Sequence, residues 1–177
     1  MRKRLIWWEV GGVLFTAAAG TLLNFVYEWS GGSTLAAVFS AVNESTWEHM
    51  KLLFFPVFLW SFVQLWFHGR NYPNFLAVRA VSTLVGLTLI PVLYYTYSGV
   101  LGRQIDWVNI LIFFLAVLGM FWVDFRLLES GWGGRAWQQV VGLALLWGLA
   151  FLFVYCTFYP LQIALWQDPV TGLFGIP

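Results

Sequence analysis

Five stretches of this chain are apolar, nearly free of charge and long enough to cross the hydrocarbon core of a bilayer as helices. They run over about 5–27, 50–68, 76–100, 106–125 and 136–160. A charge at the bilayer centre is costly, so the gaps between charges mark the spans. Backbone in hydrocarbon must satisfy its own hydrogen bonds, which leaves helices or closed barrels. Period-two alternation is absent and the runs are too long for barrel strands. The expected fold class is therefore all-α. It is a polytopic membrane helix bundle with five transmembrane helices plus one short re-entrant or interfacial helix, and residues 1–177 form a single integral membrane domain.

Composition says the same in another way. Apolar residues are 60% of the chain, aromatic ones 20% and charged ones 10%, too few charges to coat a water-facing surface. That excludes a soluble globular enzyme, a disordered regulator and a nucleic-acid binder with a basic stripe. The expected partner is the lipid bilayer, with no nucleic acid. A net charge of +1 points to no other partner. The single cysteine, Cys156, permits no intrachain disulfide and no cysteine-based zinc or iron–sulfur site. Two histidines, His49 and His68, cannot build a three-histidine site. No cofactor is expected.

The first span follows Arg2, Lys3 and Arg4, as a signal peptide would, and Ala17-Ala18-Ala19 offers small residues for cleavage. Glu9 interrupts the early apolar region and the run continues to Tyr27, so an uncleaved span is expected. Between the first and second spans lies an apolar piece, 33–43, flanked by Gly31-Gly32 and Asn43-Glu44. It is too short to cross a bilayer and is expected to be a half-helix that dips in and returns or lies at the interface.

Five crossings put Arg2, Lys3, Arg4, Arg70, Arg126 and Arg135 on one face, with Arg79 near it, and leave Arg103 and Lys51 toward the other. The positive-inside rule then places the N-terminus in the cytoplasm and the C-terminus outside, in a multi-pass cell-membrane protein. Trp7, Trp8, Trp66, Trp122, Trp132 and Trp137 fall at the inner boundary and Trp29, Trp47, Trp107 and Trp166 at the outer one. Trp60 and Trp147 are mid-span packing or cavity residues. Glu28, Glu44, Glu48, Asp106 and Asp168 belong to the outer side, where they would attract cations or amines.

One dense polar cluster stands out, Asn43-Glu44-Ser45-Thr46-Trp47-Glu48-His49-Met50-Lys51. Part of it fits a capping box, with Ser45 as N-cap of the second span and Glu48 reaching back to its amide. Glu44, His49 and Lys51 are left over by that reading. Glu48 and Lys51 are three apart and can pair; Ser45 and His49 are four apart on a neighbouring stripe. The candidate ligand-binding residues are Asn43, Glu44, Ser45, Glu48, His49 and Lys51, with Asn24 and Glu28 of the first span lining the same mouth. No metal site is expected. Glu44, Glu48 and His49 are the set from which one would be assembled, with further ligands from Glu28, Asp106 or Asp168, and their spacing matches no metal motif. Near the inner face, Arg79 is expected to pair with Asp124 or Glu9, with a proton exit through Asp124 as the lesser reading. Tyr94, Tyr95 and Tyr97 read as an interfacial belt and His68 as an ordinary interfacial histidine. The tail, 161–177, carries turn chemistry at Asp168-Pro169 and Thr171-Gly172 and is expected to fold as a cap over the outer mouth.

The Asn43–Lys51 stretch, followed by Leu52-Leu53-Phe54-Phe55-Pro56, resembles the signature of a family of small, uncharacterised bacterial multi-pass membrane proteins. Asp168-Pro169-Val170-Thr171-Gly172-Leu173-Phe174-Gly175 looks like that family's closing motif. The resemblance implies a bacterial inner-membrane protein of about this size and no particular activity. Ser45-x-x-x-His49 is also similar to the first metal-site motif of intramembrane ceramidase-like hydrolases, but no histidine follows His68. The chain is also similar in size to the substrate-binding membrane subunits of energy-coupling vitamin importers.

Three functions compete. The first is binding or transport of a small cationic or zwitterionic solute through an outward-facing acidic site beside a broken helix. The second is an intramembrane enzyme, metal-dependent or not, that acts on a lipid-like substrate through Glu44, Glu48 and His49. The third is a structural subunit, in which small faces such as Gly11-Gly12 to Ala19-Gly20 make a homo-oligomer contact.

Overall fold

The computed structural model describes residues 2–176. The chain forms α1 (Arg2–Trp29), a short α2 (Thr34–Phe39), α3 (Thr46–Phe67), a single 3-10 turn (Gly69–Asn71), α4 (Phe75–Leu101), α5 (Asp106–Ser130) and α6 (Ala136–Phe158). Five of these helices are long and apolar enough to cross a membrane, in line with the expected bundle. Among the described residues, the only β pairing is one isolated antiparallel bridge, Gln167 with Phe174.

Large apolar side chains cover the outside. Leu14, Leu59, Ile110, Val140 and Phe151 are all exposed, the surface a bundle needs when its solvent is lipid. Trp7, Trp66, Trp122 and Trp137 are exposed at one end and Trp29 and Trp107 at the other. Three other tryptophans depart from expectation. Trp47 and Trp166 are buried and stack 4.4 Å apart against Phe153, so they are core residues and not interfacial anchors. Trp147 is exposed on α6, with its edge against Phe58.

Glycine sets how closely the helices approach. A Cβ on Gly12 would stand 2.4 Å from Phe121 and 2.7 Å from Trp60 Nε1, and one on Gly142 would stand 2.5 Å from the Leu76 carbonyl oxygen. These positions bring α1 onto α3 and α5, and α6 onto α4.

The helix expected to begin near residue 50 begins at Thr46, because the polar cluster is itself helical. Ser45 is its N-cap and accepts from the Glu48 amide at 3.3 Å. The short α2 lies against α1, α3 and α6, with Ala37, Ser40, Ala41 and Val42 buried. Beyond α6 the tail returns over the same end. The Trp47 amide donates to the Leu165 carbonyl at 3.0 Å, and Asn43 Nδ2 donates to the Gly175 carbonyl at 2.7 Å.

Candidate functional site

The first turns of α3 send their polar side chains in two directions. One set faces α2 and α6. Lys51 Nζ lies 2.7 Å from Glu48 Oε2 and donates to the Ala37 carbonyl at 2.8 Å and to Thr157 Oγ1 at 2.9 Å. Glu48 Oε2 also accepts from the Val42 amide at 3.1 Å. The reach-back expected of a capping box therefore goes elsewhere, and Asn43 Oδ1 accepts from the Ser45 amide instead, at 2.9 Å. A buried ammonium is tolerable when a carboxylate and two further acceptors surround it. Here it also supplies the donor that the C-terminal carbonyls of a six-residue helix lack.

The other set faces a cavity of about 460 Å³ between α1, α3 and α5. Asn24, Glu44 and His49 are on its wall. Asp106, Asn109 and Gln104 come from the start of α5 and the turn before it, Thr21 from α1, and Val170 from the tail. Phe25, Phe113 and Phe114 supply the apolar wall. A second, much smaller cavity of about 20 Å³, lined by Thr46, Ile90 and Tyr94, shares Glu44, His49 and Asn109 with it.

His49 is held at one ring nitrogen and faces a carboxylate with the other. Nδ1 donates to the Ser45 carbonyl at 3.0 Å, because a carbonyl can only accept, and Nε2 lies 3.6 Å from Glu44 Oε2. Glu44 is the more exposed partner, and its carboxylate reaches the cavity.

The structure separates the sequence candidates. Glu44, His49 and Asn24 meet at the cavity. Glu48 and Lys51 are spent on each other, Ser45 caps the helix, and Asn43 ties α3 to the tail. Glu28 is exposed near the end of α1 and off the cavity wall. Glu44, Glu48 and His49 do not converge as a metal-ligand set, since Glu48 turns away to Lys51, and among the described residues no group of three His, Cys, Asp or Glu side chains is placed to hold a metal ion.

Sequence reasoning missed Asn109, Gln104, Thr21 and the three phenylalanines as wall residues. The tyrosines read as a belt position part of this wall. Tyr94 Oη donates to Gln104 Oε1 at 3.2 Å, Tyr97 Oη donates to Asn109 Oδ1, and the Ile105 amide donates to Tyr97 Oη at 3.1 Å. The usable signal was the polar run Gln104, Asp106, Asn109 at the head of an otherwise apolar span.

A model of a family of unknown function, DUF6512, matches residues 2–176. No curated protein and no solved structure matches the chain.

Proposed function

We propose that this chain, which belongs to the DUF6512 family of unknown function, binds a small cationic or zwitterionic solute in the cavity beside His49 and carries it across the bilayer. The observation that supports the reading is the charge of the wall. Glu44 and Asp106 are on it and no lysine or arginine is, while Phe25, Phe113 and Phe114 face the same space. Carboxylates attract a cation and aromatic faces favour one, most of all an alkylated ammonium. A cavity of about 460 Å³ falls in the range of small-molecule sites. Asn24, Asn109 and Gln104 add amide groups that can orient a polar ligand. With the N-terminus in the cytoplasm, the cavity faces outward.

The test is thermal stabilisation of the purified protein by tetramethylammonium and by glycine betaine, with acetate as the anionic control. Stabilisation by the first two that is lost in Glu44→Gln and Asp106→Asn supports the reading. Equal response to acetate, or unchanged stabilisation in both variants, sinks it. A lipid headgroup carries the same chemistry, so micelles doped with phosphatidylethanolamine form the comparison arm. Uptake of the labelled amine into vesicles then separates carriage from binding.

A further inference from the structure

A second buried polar cluster lies toward the Arg2 end of the bundle, apart from the cavity. Glu9 of α1, Gln64 of α3, Arg79 and Ser82 of α4 and Asp124 of α5 meet there, each 5% exposed or less. Gln64 Nε2 donates to Glu9 Oε1 at 2.7 Å, and Arg79 Nη2 donates to Gln64 Oε1 at 2.7 Å. Ser82 Oγ donates to Asp124 Oδ1 at 2.6 Å. Arg79 Nη2 is 3.2 Å from Asp124 Oδ2, a charge contact without an aligned hydrogen bond. Phe75 and Phe121 enclose the guanidinium, with ring centroids at 5.3 and 5.4 Å.

Two oxygens are left without a donor, Glu9 Oε2 and Asp124 Oδ2, and both carboxyls are tied to the same guanidinium, Glu9 through Gln64 and Asp124 directly. The charges around them do not balance. Arg79 is the one cation in the cluster. On the Arg2 side, Arg2 Nε is taken by Glu129 Oε1 at 2.9 Å. From α3 comes the neutral Gln64, with His68 one turn beyond, and from the following turn comes Tyr72. Arg4 lies toward His68. The α6 face against α4 brings Gln139 and Gly142, neither of them titratable. Two ionised carboxylates against one guanidinium would leave a net negative charge in hydrocarbon, which is strongly disfavoured.

We propose that Glu9 and Asp124 hold one proton between them, forming a protonation site that clamps α1 to α5. The proton turns one of the two orphaned acceptors into a donor and brings the cluster to neutrality. Its release breaks one O–H bond, passes the proton to water and leaves two like charges opposed. The opposite ends of the same two helices form the cavity wall, through Gly20 and Asn24 on α1 and Asp106, Asn109 and Phe113 on α5. The proton is thus placed to bias how α1 and α5 meet around the cavity. The protonation site itself stands on the carboxyl geometry and does not depend on solute binding.

Difference infrared spectroscopy reads a protonated carboxyl directly. The wild type at neutral pH should show its C=O stretch, and the band should vanish in both Glu9→Gln and Asp124→Asn. Each variant is expected to fold, because an amide N–H replaces the shared proton. Spin labels at exposed Ile6 and Trp122, with the lone Cys156 replaced, report the α1–α5 spacing. That spacing should widen over the pH range in which the band titrates, and stay fixed in Glu9→Gln. A wild type without the band, or a band that survives in both variants, overturns the site. A spacing that stays constant while the band titrates overturns the clamp.

Discussion

Lys51 Nζ lies 2.7 Å from Glu48 Oε2, with both side chains sealed inside the protein. This one contact divides the polar stretch at the head of α3. Its inward half braces α2 against α6, and its other half, Glu44 and His49, is left to face the cavity.

The pair therefore governs stability. Lys51→Met leaves Glu48 buried without its cation and should lower stability by about 3–5 kcal/mol. Glu48→Gln with Lys51→Met removes both charges and should recover a large part of that loss. Thermal unfolding in detergent, run as a double-mutant cycle, measures the coupling. Additive losses in the double variant would show that the two side chains act independently.

The fold was legible from hydrophobic length alone, since the uncharged runs could only be helices and their number fixed the bundle. The pairing of Glu48 with Lys51 and of Arg79 with Asp124 was also legible, because spacing and the expense of isolated charge left few partners. What spacing does not encode is which side of α3 faces what. Glu48 and His49 are adjacent, yet one seals a helix and the other lines a cavity, and that follows from where α2 and α5 pack. Gln64 was invisible for a related reason. A neutral amide in an apolar run carries no signal until two charged neighbours arrive from α1 and α4. Trp47 and Trp166 were misplaced because composition marks tryptophan as interfacial, whereas the returning tail converts both to core.

Helix spacing gives a prediction with a built-in control. A Cβ on Gly142 would meet Leu76 backbone at 2.5 Å, and backbone cannot rotate away. Gly142→Ala should cost roughly 1–3 kcal/mol through the forced separation of α6 from α4. A Cβ on Gly148, on the same helix, meets nothing within 4 Å, so Gly148→Ala should be neutral or mildly stabilising. Equal thermal shifts in the two variants would remove close packing as the reason for Gly142.

His68 follows the end of α3, buried and stacked on Trp8 with ring centroids 6.1 Å apart. Burial first, and the positive charge of Arg4 second, hold its pKa below the ordinary value of 6.5. The unfolded chain therefore takes up a proton before the folded one does. The stability of the neutral ring is complete above the ordinary value and is lost as pH falls below it. Thermal midpoints between about pH 8 and pH 5 should fall with acid in the wild type, and fall less in His68→Phe, which keeps the stack. Arg4→Gln should shrink the acid loss, because the folded ring then takes up its proton closer to the ordinary value. An acid response identical in wild type and His68→Phe would clear His68 of any part in it.

One carboxylate holds the turn by which the tail reaches the cavity wall. Asp168 is buried and accepts from the Val170 amide at 2.8 Å through Oδ1 and from Thr171 Oγ1 at 2.9 Å through Oδ2. Its backbone carbonyl accepts from the Gly172 amide at 2.8 Å, and Gly172 has a φ of +73°, a left-handed geometry that glycine adopts without strain. This turn presents Val170 to the cavity and positions Trp166 on Trp47. Asp168→Ala removes two side-chain acceptor contacts, each worth about 1 kcal/mol. Both contacts lie within the tail turn itself and neither is made to the five long helices. The variant should therefore keep the thermal midpoint of the bundle within a few degrees while amides from residue 165 onward exchange faster with deuterium. Asp168→Asn, which keeps an acceptor for the Val170 amide, should fall between. Uniform acceleration across all helices would mean that the tail is a pillar of the bundle. Unchanged exchange in the tail would mean that Asp168 does not hold the turn.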